Sequence, residues 1–362
     1  MKKSWIVAGL VIVVVVAVGV FMLTTKNAND TKSEIDLTAK NAETAKQTEG
    51  MATKNTKGHE KSELSVKSAD RGEFVYSEEE LSDPVLALLG LDGKLHDYNS
   101  MFSAIALLPK GNIAADDVAA LRDMLTWPND QFPEGMRPIQ INAVKNDVLD
   151  RLLRQKELPE AMGYQLVDMY SDAETDPMWK NYCVQFMSPY YEKQSEVLGV
   201  KFQEGQSEES AQSVDELDAV REAMFAALEV REGAIAGTAL IGVELLSRTH
   251  KEFDREQVVA KASKMASDDS VPTGSRMTAL RLAASENLKP ETGNVNEQVA
   301  DTARFLAQTG ETMLMRSAAL VTLGETGGPE DRELIESFTF DKDRQIAAAA
   351  ELALQKMDAR GL

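Results

Sequence analysis

Between residues 77 and 362 apolar side chains return every three or four positions, the spacing of one face of an α-helix. Leu95, Tyr98, Phe102, Ile105 and Leu108 form one stripe. Ile139, Ala143, Val144, Val148 and Leu152 form a second, and Leu217, Val220, Met224, Ala227 and Leu228 a third. No stretch alternates at period two over any length, so strands are not predicted. Helix starts follow one another closely. Ser77 with Glu80 and Ser213 with Glu216 read as capping boxes. Asp83-Pro84, Asp176-Pro177 and Ser188-Pro189 each read as an N-cap followed by proline at the first helical position. Residues 127–137 and 188–212 break the rhythm and read as insertions or domain joints.

The N-terminal pattern differs in kind. Residues 5–23, WIVAGLVIVVVVAVGVFML, carry no charge. As a helix they reach about 28 Å at about 1.5 Å per residue, close to the ~30 Å hydrocarbon core of a bilayer. Trp5, Ile6 and Val7 at one end and Phe21, Met22 and Leu23 at the other are the candidate membrane anchor. Lys2 and Lys3 before the run predict a cytoplasmic N-terminus by the positive-inside bias. The run exceeds a signal-peptide core of about 7 to 15 residues, and no Ala-x-Ala-like site follows it. An uncleaved signal anchor is therefore expected, with secretion after cleavage as the alternative.

Residues 24–71 are dominated by Lys, Thr, Ala, Asn, Glu, Ser and Gln. Such a segment cannot bury a core, so it reads as a disordered polar tether with a reach of roughly 40 Å. The expected organisation is a cytoplasmic head (1–4), the anchor (5–23), the tether (24–71), an N-terminal helical repeat region (72–200) and a C-terminal one (201–362). The expected localisation is a single-pass membrane protein with its body outside the cytoplasm, periplasmic in a Gram-negative source.

Composition agrees with helices: of 362 residues 43% are hydrophobic but only 6% aromatic. Charge is distributed unevenly. Residues 72–362 hold 28 Lys or Arg against 51 Asp or Glu. So acidic a body repels phosphate backbones, which disfavours nucleic acid as a partner. The single cysteine, Cys183, excludes an intrachain disulfide. Its neighbours Trp179, Tyr182, Phe186 and Met187 place it on an apolar helical face as a buried thiol.

The C-terminal third repeats. MRSAALVTLG from Met315 to Gly324 is followed by a Gly-rich turn and a short helix, and a last helix holds Ile346, Ala350 and Leu354. SRMTALRLA, beginning at Ser275, sets Arg276 opposite Arg316. The small residues let helices approach closely, and Arg316 is suited to bond the carbonyl end of an adjacent helix or to pair with an acidic turn. Met315, Arg316, Ala319, Leu320, Leu323 and Gly324 match the HEAT-like repeats named after the phycobilisome lyases. Ile346, Ala350, Ala353 and Leu354 match in part, with Ala347 where arginine is usual, and Trp179-Lys180 after Asp176 is a distant echo. This resemblance, over about residues 312–357, implies an armadillo-like α-solenoid of stacked antiparallel helix pairs. It implies an interaction scaffold and not lyase activity, since most members of the family are scaffolds.

No reaction motif accompanies this fold. His59, His96 and His250 have no zinc-helix spacing, and His96 and His250 read as solvated helix-end residues. The segment from Gly324 to Gly328 lacks the ending of a phosphate loop and reads as a helix C-cap and turn. The acidic clusters at Asp172, Glu174, Asp176 and at Ser267, Asp268, Asp269 read as turns and N-caps and not as calcium loops. No cofactor and no metal are expected. The aromatic group Trp179, Tyr182, Tyr190 and Tyr191 is the candidate partner-binding anchor, or else core. The leading expectation is a non-enzymatic, membrane-tethered scaffold that binds a protein or peptide of the cell envelope. An enzyme with a site in residues 127–137 and 188–212, or a structural spacer, are the alternatives.

Overall fold

The structure is a computed structural model that describes residue 74 and residues 76–204, 208–287 and 297–362. The described residues form fourteen α-helices and no strand. These are α1 (Asp83–Leu89), α2 (Tyr98–Leu107), α3 (Ala115–Thr126), α4 (Pro138–Leu153), α5 (Met162–Ser171), α6 (Pro177–Glu204) and α7 (Glu208–Ala227). They continue as α8 (Ile235–Ser247), α9 (Arg255–Ser267), α10 (Thr273–Asn287), α11 (Glu297–Thr309), α12 (Met313–Thr326), α13 (Arg332–Phe338) and α14 (Arg344–Ala359). Gly72–Leu362 is one compact unit, and the expected boundary at 200/201 falls inside α6.

Packing follows a simple rule. Each odd-numbered helix packs on the even-numbered helix that follows it, which gives seven pairs among the described residues. Each even-numbered helix also packs on the next even-numbered one, from α2 through to α14. The stripes read from the sequence supply this contact: Val144, Val148 and Leu152 of α4 and Val220, Met224 and Ala227 of α7 are fully buried. Two stripe members are corrected. Leu95 precedes α2 and is fully exposed, and Ile139 lies in the first turn of α4, about half exposed.

The Arg residues of the repeat do what their position suggested. Arg276 and Arg316 each occupy the fourth position of an even helix. Arg276 Nε donates to Ala266 O at 3.2 Å, and Arg316 Nε donates to Ala307 O at 3.1 Å, in each case a carbonyl in the last turn of the preceding helix. The other guanidinium nitrogens reach forward to the turn before the next even helix, to Glu311 at 3.6 Å and Asp341 at 3.5 Å. One side chain thus ties three successive elements, satisfying carbonyls that a helix end leaves without an internal partner.

Close approach has its own requirement at Gly324. A Cβ there would lie 2.5 Å from Ala353 Cα and 2.6 Å from Ala353 O, so α12 meets the α14 backbone directly. Gly324 lies inside α12, whose C-cap is Gly327, three residues beyond the C-cap expected from sequence. Arg360 closes that end by donating to Gly324 O at 3.0 Å and Gly327 O at 2.8 Å. Gly324→Ala is expected to cost about 2 kcal/mol through overpacking, seen as a lower urea midpoint with an unchanged slope.

Four helix starts are corrected, among them Ser213, which lies inside α7 and begins no helix. Ser77 precedes only a 3-10 turn and its hydroxyl caps nothing; its backbone N–H instead donates to Asp116 Oδ1 at 3.4 Å. Asp83 is the first residue of α1 and Ser82 its N-cap, with Ser82 N held by Asp117 Oδ1 at 2.9 Å. Ser188-Pro189 starts no helix, because α6 runs through it. An interior proline costs about 3 kcal/mol, but Tyr190 and Tyr191 beside it are both buried, and packing of α6 against α5, α7 and α8 outweighs that penalty. The stretch at 188–212 is accordingly helical up to 204 and again from 208.

The expected membrane placement is also corrected. Among the described residues no helix is long and apolar enough to cross a membrane. Even α6, with 28 residues, carries Lys180, Glu192, Lys193 and Glu196 along its length, and each charge in a bilayer core would cost several kcal/mol. Lys2, Lys3, the anchor residues Trp5, Ile6, Val7, Phe21, Met22 and Leu23, His59 and the tether 24–71 lie outside the described residues.

Candidate functional site

A turn joins each odd helix to its even partner. Three of these turns, at 172–176, 228–234 and 268–272, border two crevices. Asp172 shapes the first turn, its Oδ1 accepting from Glu174 N at 3.1 Å. Asp176 ends it by capping α6, its Oδ1 accepting from Met178 N at 2.9 Å and Trp179 N at 3.1 Å. Asn142 of α4 also donates to Asp176 Oδ1, at 2.8 Å, which fixes the turn to the preceding pair. Asp268 organises the third turn by accepting from Ser270 N at 3.0 Å and Ser270 Oγ at 2.6 Å. The two Ser270 bonds hold its carboxyl below the usual range. Both acidic clusters thus serve as the turns and caps that their spacing suggested.

Between the turns at 172–176 and 228–234 lies an open crevice of about 520 Å³. Tyr170, Val230 and Ile235 supply its apolar wall, and Glu174, Asp176, Glu232 and Lys180 its charges. A second, of about 290 Å³, lies one repeat further on and is bordered by Glu229, Arg231, Lys261, Lys264, Met265 and Asp268. Neither is visible in sequence, because its walls lie roughly 40 to 60 positions apart in the chain.

Three of the four aromatic candidates are core. Trp179, Tyr190 and Tyr191 are at most 3% exposed, and Tyr182 alone is half-buried, its ring 6.3 Å from that of Trp179. Burial also pushes the Cys183 thiol far up, so the thiol is inert. His96 departs from expectation: its side chain is 8% exposed and pairs with Asp92 Oδ1 at 2.6 Å. His250 is 17% exposed and lies between Glu192, at 3.1 Å, and Glu252, at 3.5 Å, with the Tyr191 ring edge-on at 5.3 Å. Among the described residues no group of three His, Cys, Asp or Glu side chains is placed to hold a metal ion.

Several buried charged groups escaped sequence reading, and two of them organise neighbouring segments. Lys145, 5% exposed, sits between the rings of Phe132 and Trp179, at 5.4 and 5.5 Å, and donates to Trp127 O at 2.5 Å. Desolvation lowers its pKa to about 8. The signal was available, since Lys145 falls four residues after Ile141 and three before Val148, on the buried face of α4. Lys145 thus helps to hold residues 127–137, with Trp127 packed edge-on against Phe132 at 5.8 Å and its Nε1 donating to Asp123 Oδ2 at 3.1 Å. Glu216, 4% exposed, is the second: its Oε1 accepts from Gly163 N at 2.6 Å and Tyr164 N at 3.3 Å at the start of α5.

No family profile and no curated protein sequence matches the chain. Among solved structures, human deoxyhypusine hydroxylase in complex with glycerol is similar to this chain at 16% sequence identity and a TM-score of 0.26. The match covers 76% of this chain and 95% of that one. At that level the likeness transfers neither fold nor chemistry.

Proposed function

We propose that this chain is a partner-binding scaffold whose body is a HEAT-like α-solenoid. The observation that carries the reading is the unbroken row of even-numbered helices, each packed on the next, with open crevices between three of the connecting turns. Stacked pairs of this kind create extended surface at little cost, because each pair buries its apolar face only against its neighbours. The repeated Arg276 and Arg316 contacts support the same reading, as they hold successive pairs in register. The acidic balance of residues 72–362 favours a neutral or basic protein partner over nucleic acid.

Affinity purification of the tagged full chain from its native cells, followed by titration of each enriched protein against the purified chain, tests this. A saturable complex with one protein is the expected result. Turnover of a small molecule with no reproducibly enriched protein would sink the scaffold and favour an enzyme.

A further inference from the structure

The two crevices balance their charge differently. In the second, Glu229 is paired with Lys261 at 2.7 Å and Asp268 with Arg231 at 3.4 Å, so its carboxylates are compensated from within the chain. In the first, Glu174 and Glu232 are exposed, and among the described residues neither carboxylate has an ion-pair partner. Asp176 adds a third carboxylate, whose Oδ1 is committed to the α6 cap, and Lys180 is the lone cation of the lining among the described residues. The crevice is not purely polar, because Tyr170, Val230 and Ile235 also line it.

An apolar wall beside uncompensated carboxylates matches a long cationic side chain, whose methylene stem packs on apolar surface while its head reaches charge. The Tyr170 ring offers a guanidinium or ammonium a further attractive face. We propose that the crevice between the turns at 172–176 and 228–234 receives a lysine or arginine side chain from a basic segment of the protein partner. This rests on the scaffold reading above and names the partner's chemistry. The acidic body steers such a segment inward, and Glu174 and Glu232 fix where its cation sits.

The test is fluorescence anisotropy of the full chain with a labelled decapeptide of alternating Arg and Gly, and with its Glu-Gly counterpart. The Arg peptide is expected to bind and the Glu peptide not. Glu174→Gln with Glu232→Gln should weaken the Arg peptide about tenfold or more, while Glu333→Gln with Glu351→Gln, an equal charge change at exposed sites on α13 and α14, should stay within twofold. All four positions are exposed, so thermal melts of both double variants should overlay the wild type. Equal weakening by both pairs would mean general attraction to an acidic body and would overturn the proposal. A natural partner that binds E174Q/E232Q as tightly as wild type would also overturn it while leaving the scaffold reading intact.

Discussion

Glu216→Ala is expected to lower the unfolding free energy by about 4 kcal/mol, because it uncaps one buried helix and leaves a second without its hydrogen-bond acceptor. The helix α5 begins without a cap of its own. Its N-cap, Ala161, has a φ of 54° and no side chain that can accept a hydrogen bond, so the first N–H groups need an acceptor from elsewhere. Glu216 reaches across from α7 and accepts from Gly163 N and Tyr164 N, and it also accepts from the Tyr190 hydroxyl of α6. The Arg122 cation of α3 lies close enough to favour its charged form, and Arg122 Nε is itself held by Gln165 Oε1 at 2.8 Å. One carboxylate therefore joins four helices.

Truncation strands three donors, each worth roughly 1 to 3 kcal/mol when buried and left unpaired. Gly163 is part of the same arrangement, since a Cβ there would lie 2.6 Å from the Tyr190 ring and 2.9 Å from Glu216. Urea titration by circular dichroism measures the loss, and hydrogen exchange locates it: the amides of Gly163 and Tyr164 should lose protection first. Glu216→Gln keeps one acceptor and should lose about half as much. The pH dependence has a definite sign. Burial raises the Glu216 pKa above its ordinary value, so the folded state holds the proton more tightly than the unfolded chain. Its contribution is complete below the unfolded value near 4.3 and is lost as pH rises through the folded one, a trend that Glu216→Gln should abolish. A Glu216→Ala variant as stable as wild type would refute the cross-helix cap.

The same residue shows where sequence reading reached and where it stopped. Ser213 with Glu216 has the spacing of a capping box, yet in α7 that spacing sets Glu216 one position before buried Leu217 and four before buried Val220. Local spacing cannot separate the two readings, because what decides them is α5, more than fifty residues earlier in the chain. Asp176 was legible because its partners, Met178 N and Trp179 N, lie within three residues. Arg316 was legible because a repeat carries the identity of its neighbours along the chain. Ser188-Pro189 was not, since a proline's cost can be outweighed only by packing that sequence does not display. The aromatic group at 179–191 was legible as an apolar face, and the structure decides between core and anchor by covering Trp179, Tyr190 and Tyr191 with the adjoining helices.

Raising the pH from about 8 to about 10.5 is expected to stabilise the protein relative to Lys145→Met, by at most about 3 kcal/mol. Lys145 is charged in the unfolded chain up to a pKa near 10.4, whereas desolvation lowers the folded value to about 8. Between these values the unfolded chain binds the extra proton, so stability rises with pH; below 8 both states are charged and the folded one bears the full desolvation cost. The groups that face the ammonium are the Trp127 carbonyl, the Phe132 and Trp179 rings, and the more distant Asp176 and Cys183. The rings favour the cation, which keeps the expected gain below the full shift. Methionine preserves the stem volume without the charge, so Lys145→Met should be at least as stable as wild type at pH 7 and should lack the rise that Lys145 contributes across this window. It also removes the donor to Trp127 O, and residues 127–137 should then lose hydrogen-exchange protection even where global stability rises. Parallel pH profiles of the two proteins in urea would show that Lys145 does not titrate as a buried cation, and a variant less stable by several kcal/mol at pH 7 would show that its bond to residues 127–137 outweighs the cost of burying its charge.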